Sequence, residues 1–333
     1  MGTDKQARCW VSSQPGLDAL SLEQCPPPSP RDDQLLIDVH AAALNFSDLL
    51  MIDDKYQIKP PRPFIPGQEI AGTVIAAGPS CHYKVGERVA GKVDWGGFSS
   101  QALLRDDMAI SLPADCPFFQ GAALPVVYTT AYVALTESTQ VRAGETVLVH
   151  AAAGGIGLAA VQIAAAAGAT VIACAGSHEK RALALANGAA HALDYTQPGW
   201  PAACKELTGG RGVDIVVDPV GGEVTVESLR AMALHARLLI VGFASGEIPN
   251  IPASRLLLKR ISAIGVYWNH DADADMLRRV TARMTAGLAD AAISPLVDLR
   301  QGLDALPTAL QDLQSRRTSG KIVLDLKADG KHG

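Results

Sequence analysis

Gly154, Gly155 and Gly157 stand close together in the middle of the chain, in a spacing that suits the binding of a pyrophosphate. They follow the apolar run 146–149 and precede an alanine-rich segment with a strong preference for the helical state. The unpaired N–H groups at a helix start attract anions, and glycine lets a phosphate approach the backbone. The pattern favours a dinucleotide-binding turn. Its assigned residues are Ala152, Gly154, Gly155 and Ile156, with Ala152 in place of the first glycine of the usual spacing.

Two other interpretations of this stretch are open. The first is a tight turn between a strand and a helix that binds no ligand. A membrane span is the second possibility, because no Asp, Glu, Lys or Arg occurs between Glu145 and Glu179. Glycine clusters interrupt the stretch, and its apolar bulk is mostly alanine, so we favour a buried strand–helix–strand unit.

The end of the second strand bears on the type of dinucleotide. That strand closes with Ala175, Gly176 and Ser177, and no carboxylate follows before Glu179. Sites for NAD place an acidic side chain here to hold the ribose hydroxyls, and such a side chain would repel a 2′-phosphate. The sequence therefore favours NADPH.

The elements that must position these residues fall into two regions. The chain up to residue 121 alternates short β-type runs with turns, whereas the following part alternates strands with helices. Strands are predicted at 146–150, 170–175, 191–194, 213–218, 237–242 and 261–267. The predicted fold class is α/β, with a β-rich domain and a doubly wound parallel sheet of six strands.

Composition excludes some classes of protein. A net charge of −5 without a basic block argues against nucleic acid as a partner. None of the 6 cysteines lies within four residues of another, so a C-x-x-C metal or redox pair is absent from the sequence. The first ten residues lack the apolar core of a signal peptide. We expect a cytoplasmic enzyme with reduced thiols and no membrane partner.

Several segments together resemble a known family. They are LNFSDLL (44–50), PFIPGQEIAG (63–72), VGERV (85–89), YTTAYVAL (128–135), HAAAGGIGLAAVQIA (150–164), GGRGVDIVVDPVGG (209–222), LLIVGFASGEIP (238–249) and TSGKIVL (318–324). In order and over nearly the whole chain, they resemble the zinc-independent medium-chain dehydrogenase/reductases. The group they resemble most is the NADPH:quinone oxidoreductases, which includes zeta-crystallin.

The resemblance implies a domain organisation and a metal-free site. It implies a GroES-like catalytic domain at 1–121 and 269–333, and a Rossmann NADPH-binding domain at 122–268. Zinc alcohol dehydrogenases of this superfamily carry Cys at the position of Asn45 and His at that of Gln68. Because amides do not replace these ligands, we expect no metal and no alcohol oxidation. Gln68 and Glu69 can also be satisfied polar residues of a buried turn.

The resemblance also implies site residues. Ser177, Lys180 and Tyr195 match the positions that bind the 2′-phosphate. The implied catalytic residues are Asn45, Tyr56 and Thr130, of which Asn45 and Thr130 also contact the cofactor. Further matches to cofactor contacts are Gly176, Val220, Gly242, Phe243 and Arg316. Leu50, Ile52 and Asp54 depart from the family pattern, in which Tyr, Arg and Gly are usual.

The predicted activity is transfer of a hydride from NADPH to a quinone without a metal. An alternative is reduction of an enone or a 2-enoyl-CoA of the acrylyl-CoA type. A further alternative is a protein that binds NADPH without catalysis. We also expect a homodimer joined through the last strand of the parallel sheet, near 261–268, with Ile261, Ala263, Gly265 and Tyr267 or their neighbours at the interface.

Overall fold

The beginning and the end of the chain fold together, and the middle of the chain folds by itself. The computed structural model describes residues 6–327; in it, unit 1 consists of residues 6–126 and 295–327, and unit 2 of Val127–Ser294. The second boundary was expected at 269. It lies later because the helix 274–289 packs on the helix 127–132 of unit 2 and buries Leu277, Val280 and Met284. Arg279 and Arg283 of the same helix also pair with Glu137, at 2.7 and 2.6 Å.

Strands and helices are numbered along the chain. The strands are β1 (Ala7–Ser12), β2 (Leu20–Cys25), β3 (Gln34–Ala43), β4 (Glu69–Ala77), β5 (Arg88–Lys92), β6 (Gln101–Arg105), β7 (Ala109–Ser111), β8 (Thr146–Val149), β9 (Thr170–Cys174), β10 (His191–Leu193), β11 (Val213–Asp218), β12 (Met232–Ile240), β13 (Ser262–Gly265), β14 (Val297–Gln301) and β15 (Lys321–Asp325). The helices are α1 (Phe46–Ile52), α2 (Phe118–Ala122), α3 (Val127–Tyr132), α4 (Gly155–Ala166), α5 (His178–Ala186), α6 (Trp200–Leu207), α7 (Gly222–Ala231), α8 (Ala253–Lys259), α9 (Ala274–Ala289) and α10 (Leu306–Gln314).

Unit 1 is built on a sheet of order β14-β15-β3-β4-β5-β7, with β6 also paired to β3. Strand β3 alternates inward apolar residues with half-exposed ones, and its inward side chains pack with Phe98 and Leu104 in one core. The late strand β15 pairs antiparallel with β3, with Val323 opposite Ala43. This pairing brings the C-terminal part of the chain to the end of β3, immediately before α1.

Unit 2 contains the parallel sheet, with the order β10-β9-β8-β11-β12-β13. Every pairing in this sheet is parallel, so each step along it needs a crossover, and helices α4 to α8 provide them. The direction of winding reverses between β8 and β11, and ligands of such sheets bind outside the carboxyl ends of the strands at that point. The predicted fold class and the predicted strands are confirmed, apart from shifts at strand ends and an earlier start of β12.

The expectation of reduced thiols is wrong for two cysteines. Cys9 and Cys25 form a disulfide across the antiparallel pair β1–β2, while the other four cysteines are free. The register sets Cys9 opposite Glu23 and Ala7 opposite Cys25, so both cysteines lie on one face of the pair. Sequence spacing could not show this, because the partners are 16 residues apart.

Within residues 6–327, no helix is both long enough and apolar enough to cross a membrane. Residues 145–177 form β8, α4 and β9, which is the strand–helix–strand unit that the sequence favoured. The cytoplasmic location stays a prediction.

Candidate active site

The glycine turn joins β8 to α4. A Cβ atom on Gly157 would lie 2.2 Å from the carbonyl oxygen of Ala151, so only glycine lets α4 start against this turn. A Cβ on Gly154 would meet only that same oxygen, at 3.3 Å, which leaves space in front of its backbone. Leu158 is the first residue whose N–H bonds back along the helix, to Gly154, so the N–H groups of Gly155, Ile156 and Gly157 are left for a ligand. These features fit a pyrophosphate.

Ala152 does not need to be glycine in this turn. Its N–H donates to the carbonyl of Cys174 on β9 at 3.0 Å, and its side chain is fully buried. The left-handed conformation falls on Ala151, with φ 47. The departure from the usual glycine spacing is therefore accommodated one residue earlier.

Gly176, Ser177, Lys180 and Tyr195 gather at the carboxyl ends of β9 and β10. Ser177 caps α5, where its Oγ accepts from the N–H of Lys180 at 3.3 Å. A Cβ on Gly176 would lie 3.2 Å from Thr196, the neighbour of Tyr195, so the two strand ends are close. The residues matched to the 2′-phosphate thus lie at one edge of the sheet.

Sequence reasoning missed a carboxylate and its partner at this edge. The carboxylate is Asp194, which precedes Tyr195 in the chain. Arg181 donates to Oδ2 of Asp194 at 2.8 Å and to the carbonyl of Ala175 at 3.1 Å. Hydrogen bonds from Thr196 and the nearby Arg181 lower the pKa of Asp194 below its ordinary value. Its charge is therefore compensated within the protein, which reduces its repulsion of a phosphate.

The loops after β11 and β12 carry Val220, Gly242 and Phe243. The carboxylate of Asp218 accepts from the N–H of Val220 at 2.8 Å, and Gly242 donates to the carbonyl of Asp218 at 3.4 Å. A Cβ on Gly221 would lie 2.9 Å from the ring of Phe243, so the two loops are in close contact. Both follow carboxyl ends of the parallel sheet, on the β11 side of the winding reversal.

Thr130 lies on α3 and is almost fully buried. Its Oγ1 accepts a hydrogen bond from Nε1 of Trp268 at 3.1 Å. Trp268 comes three residues after β13, and sequence reasoning did not select it as a site residue. The indole holds the hydroxyl of Thr130 in place and leaves the hydroxyl proton available as a donor.

A buried polar cluster surrounds Asn45 in unit 1. Lys321 donates from Nζ to Oδ1 of Asn45 and pairs with Oε2 of Glu69, both at 2.5 Å. Nδ2 of Asn45 donates to the same Glu69 oxygen at 2.7 Å, and Oε1 of Glu69 accepts from the N–H of Val126 at 2.6 Å. We call Asn45, Glu69 and Lys321 the amide cluster. The structure confirms that the buried carboxylate of Glu69 has hydrogen-bond and charge partners. One of them, Lys321, is a residue that the sequence had not singled out.

Asp48 and Gln68 complete the surroundings of Asn45. The N–H of Asn45 donates to Oδ2 of Asp48 at 2.7 Å, in the arrangement of a capping box at the start of α1. Burial raises the pKa of Asp48 to about 7. Oε1 of Gln68 accepts from the hydroxyl of Ser47. Gln68 is therefore a buried residue whose side-chain oxygen has a hydrogen-bond partner.

Tyr56 lies in the loop after α1, and Arg62 ties that loop down. The N–H of Tyr56 donates to the carbonyl of Leu50 at 3.1 Å. Asp54, where the family usually has glycine, takes a left-handed conformation with φ 57, and Arg62 pairs with it at 2.8 Å. Nη2 of Arg62 also donates to the carbonyl of Ile52 at 2.8 Å. The departure at position 54 therefore keeps the backbone shape that glycine would provide.

Asn45, Tyr56 and Arg316 belong to unit 1, whereas Thr130 and the other matched residues belong to unit 2. Arg316 is exposed just after α10, in a left-handed conformation with φ 56, and its cofactor contact stays a prediction. Across residues 6–327, no group of three or more His, Cys, Asp or Glu side chains is placed to hold a metal ion.

Comparisons with known proteins agree with this architecture. The family model of the alcohol dehydrogenase GroES-like domain matches residues 31–114, and that of the zinc-binding dehydrogenase matches residues 155–285. Quinone oxidoreductase-like protein 2 of Rattus norvegicus is 36% identical over 331 residues, which cover 97% of this chain and 92% of the rat protein.

Two solved structures are similar over almost their full length. The quinone oxidoreductase of Escherichia coli, complexed with NADPH, has a TM-score of 0.87 at 28% identity, with 96% of this chain and 99% of that chain covered. A mycobacterial protein, Rv1454c, also complexed with NADPH, has a TM-score of 0.89 at 30% identity, with the same coverage of 96% and 99%.

The fold and the two matched domains define an oxidoreductase of the medium-chain dehydrogenase/reductase class. Within that class, the chain belongs to the zinc-independent quinone oxidoreductase family.

Proposed function

We propose that the protein uses NADPH to reduce a quinone by transfer of a hydride, without a metal. The observation that carries the proposal is the single sheet edge that combines the glycine turn with Ser177, Lys180 and Tyr195, where the charge of Asp194 is compensated by Arg181. The NADPH complexes of the solved relatives support the same cofactor. Ala152, Gly154, Gly155 and Ile156 would hold the pyrophosphate, and Val220, Gly242 and Phe243 would line its far side.

The chain's own groups bind and orient the reactants. Bound NADPH supplies two electrons and one hydrogen as a hydride. The hydroxyl of Thr130, which accepts from Trp268, would orient the nicotinamide. The side-chain N–H of Asn45 that is not given to Glu69 would donate to an oxygen of the acceptor. The hydroxyl of Tyr56 or solvent donates the proton that completes the hydroquinone.

The test is a screen of NADPH oxidation against quinones, enones and 2-enoyl-CoA thioesters. Turnover of quinones in preference to the other acceptors is the expected result. Preference for enones or thioesters would replace the quinone with the alternative substrate class. Tight NADPH binding without turnover of any acceptor would leave a non-catalytic NADPH-binding protein and reject the enzymatic proposal.

A matched pair of variants connects the screen to the site. Thr130→Val removes the hydroxyl at nearly unchanged volume and should lower the rate of hydride transfer. Thr136→Val removes a hydroxyl that bonds to the carbonyl of Tyr132 in the same unit, and it should leave that rate unchanged. Equal rates in the wild type and Thr130→Val would remove Thr130 from the mechanism.

A further inference from the structure

Lys321 lies at the start of β15 in the core of unit 1, with only 5% of its surface exposed. We propose that Lys321 is a positioning residue, which orients and polarises the carboxamide of Asn45 so that its second N–H donates to the acceptor oxygen. The proposal rests on the proposed function for the identity of that acceptor. No sequence motif assigned Lys321 a role, since it lies 276 residues from Asn45.

The contacts allow one orientation of the Asn45 side chain. Oδ1 faces the ammonium of Lys321, and Nδ2 faces the carboxylate of Glu69. A rotated amide would place its N–H groups against the ammonium and its oxygen against the carboxylate, and both contacts would then be repulsive. Glu69 is in turn held by the N–H of Val126. The amide therefore has a defined direction before any ligand arrives.

The same contacts strengthen Asn45 as a donor. An ammonium against the amide oxygen draws electron density away from the nitrogen, and hydrogen bonds in such buried chains polarise one another. One N–H of Nδ2 is given to Glu69, and the amide carries a second. A donor that is already aligned costs no reorganisation when negative charge develops on the acceptor oxygen.

A purely structural role accounts poorly for this arrangement. A buried ion pair adds little net stability compared with well-packed apolar residues of similar volume. The neighbouring strand residues Ile322, Val323 and Leu324 are buried and apolar, so an apolar side chain at 321 would suit the core as well. What the lysine provides, and an apolar side chain would not, is the alignment of the Asn45 amide.

The first experiment reads the amide without activity. Selective ¹⁵N labelling of asparagine is practical because the chain contains only four, Asn45, Asn187, Asn250 and Asn269. We expect one pair of side-chain amide signals, assigned through Asn45→Ser, to be displaced from the ordinary amide region in the wild type. The double variant Lys321→Met with Glu69→Gln keeps the cluster neutral, so that it can fold, and should return these signals to the ordinary region.

The matched control is Lys327→Met, which removes a lysine of the same segment that pairs with Asp38 at the surface. It should leave the Asn45 signals unchanged. Asn45 signals that lie in the ordinary region in the wild type, or that stay displaced in the double variant, would overturn the proposal.

The second experiment measures hydride transfer with the acceptor that the screen identifies. Loss of one such donor typically lowers kcat by about a hundredfold. We expect a loss of this size in the double variant with an unchanged KM for NADPH. Lys321→Arg keeps the cation beside Glu69 and should lose less. Unchanged kcat would overturn the catalytic role. If the wild type turned over no acceptor, the proposed function and this role would both fall, while the amide spectrum would still decide the orientation.

Discussion

Asp48 should make the stability of the protein depend on pH. Its pKa is raised from 3.8 to about 7 by burial, so the folded state binds more protons than the unfolded state between these values. The free energy of unfolding should therefore fall as pH rises through this window, by up to about 4 kcal/mol, and should then level off. Asp48→Asn should remove this dependence. Urea unfolding at about pH 5 and about pH 8 measures the part that lies between these values, about 3 kcal/mol.

The control for this prediction is Asp304→Asn, at a surface residue that pairs with Arg8. It should keep the pH dependence of the wild type. The prediction would be contradicted if the free energy of unfolding rose between these two pH values in the wild type and stayed flat in Asp48→Asn. The pKa of Asp48 would then be lowered by folding and not raised.

Lys180 should decide the preference between NADPH and NADH. A charge-assisted hydrogen bond to phosphate contributes about 1.5–3 kcal/mol, so Lys180→Ala should weaken NADPH binding by about tenfold to a hundredfold. NADH binding should barely change, because NADH lacks the 2′-phosphate. Calorimetric titration of both cofactors measures the two effects, with Lys205→Ala on α6 as the control. Equal losses for NADPH and NADH would show that Lys180 does not bind the phosphate.

The positions of single residues in the fold were predictable where the signal is local. The glycine turn, Ser177 and Lys180 lie within one stretch of sequence, and a strand–helix–strand unit needs only local patterns. Their contacts with the cofactor stay predictions. Lys321 and Trp268 were missed because their partners are distant in the chain, and only strand pairing and helix packing bring them together. A lysine at the start of the apolar run 321–324 was the one available signal.

At the scale of elements, β1 and β2 are joined by the Cys9–Cys25 disulfide. Denatured, unreduced protein should titrate four thiols, and reduced protein should titrate all 6. Because the disulfide closes a loop of 16 residues, its removal in Cys9→Ser with Cys25→Ser should lower the free energy of unfolding by about 3 kcal/mol.

The control for the disulfide is Cys81→Ser, which changes a free and partly exposed thiol. It should leave the stability within about 0.5 kcal/mol of the wild type. Titration of all six thiols before reduction would mean that the disulfide does not form in solution.

The strands of the parallel sheet were predictable because each is a short apolar run bounded by turn residues. Helix α9 was expected in the catalytic domain, whereas it lies in unit 2. It packs on α3 and pairs through Arg279 and Arg283 with Glu137, and no local pattern reveals contacts over such separations. The pairing of β15 with β3 is equally long-range. The resemblance to a known family had implied only that the two strands belong to the same domain.

At the scale of the whole molecule, we propose a homodimer through β13. Among the described residues, β13 pairs only with β12 and forms the edge of its sheet. Leu258 precedes β13 in the chain and Tyr267 follows it, and they are 80% and 79% exposed. Large apolar side chains with such exposure indicate a surface that binds a partner. Ile261 must be withdrawn from the expected interface, because it is buried in the core of unit 2.

Tyr267→Glu with Leu258→Glu should convert the dimer to monomers without loss of fold, since neither side chain packs in the core. Sedimentation velocity at micromolar concentration measures the change. Leu207→Glu introduces the same charge at an exposed position of α6, and it should leave the dimer intact. A monomeric wild type would exclude the interface.

The discontinuity of unit 1 has a consequence for biosynthesis. Unit 2 is a continuous segment, so a ribosome delivers all of it before β14 and β15 exist, and domains generally fold as they emerge. Glu69 is made early but receives its cation only when Lys321 is translated, after the whole of unit 2. A nascent chain thus holds a carboxylate whose burial must wait for β15. The amide cluster can therefore form only after unit 2 has been made, and a chain that stops before β15 cannot complete it.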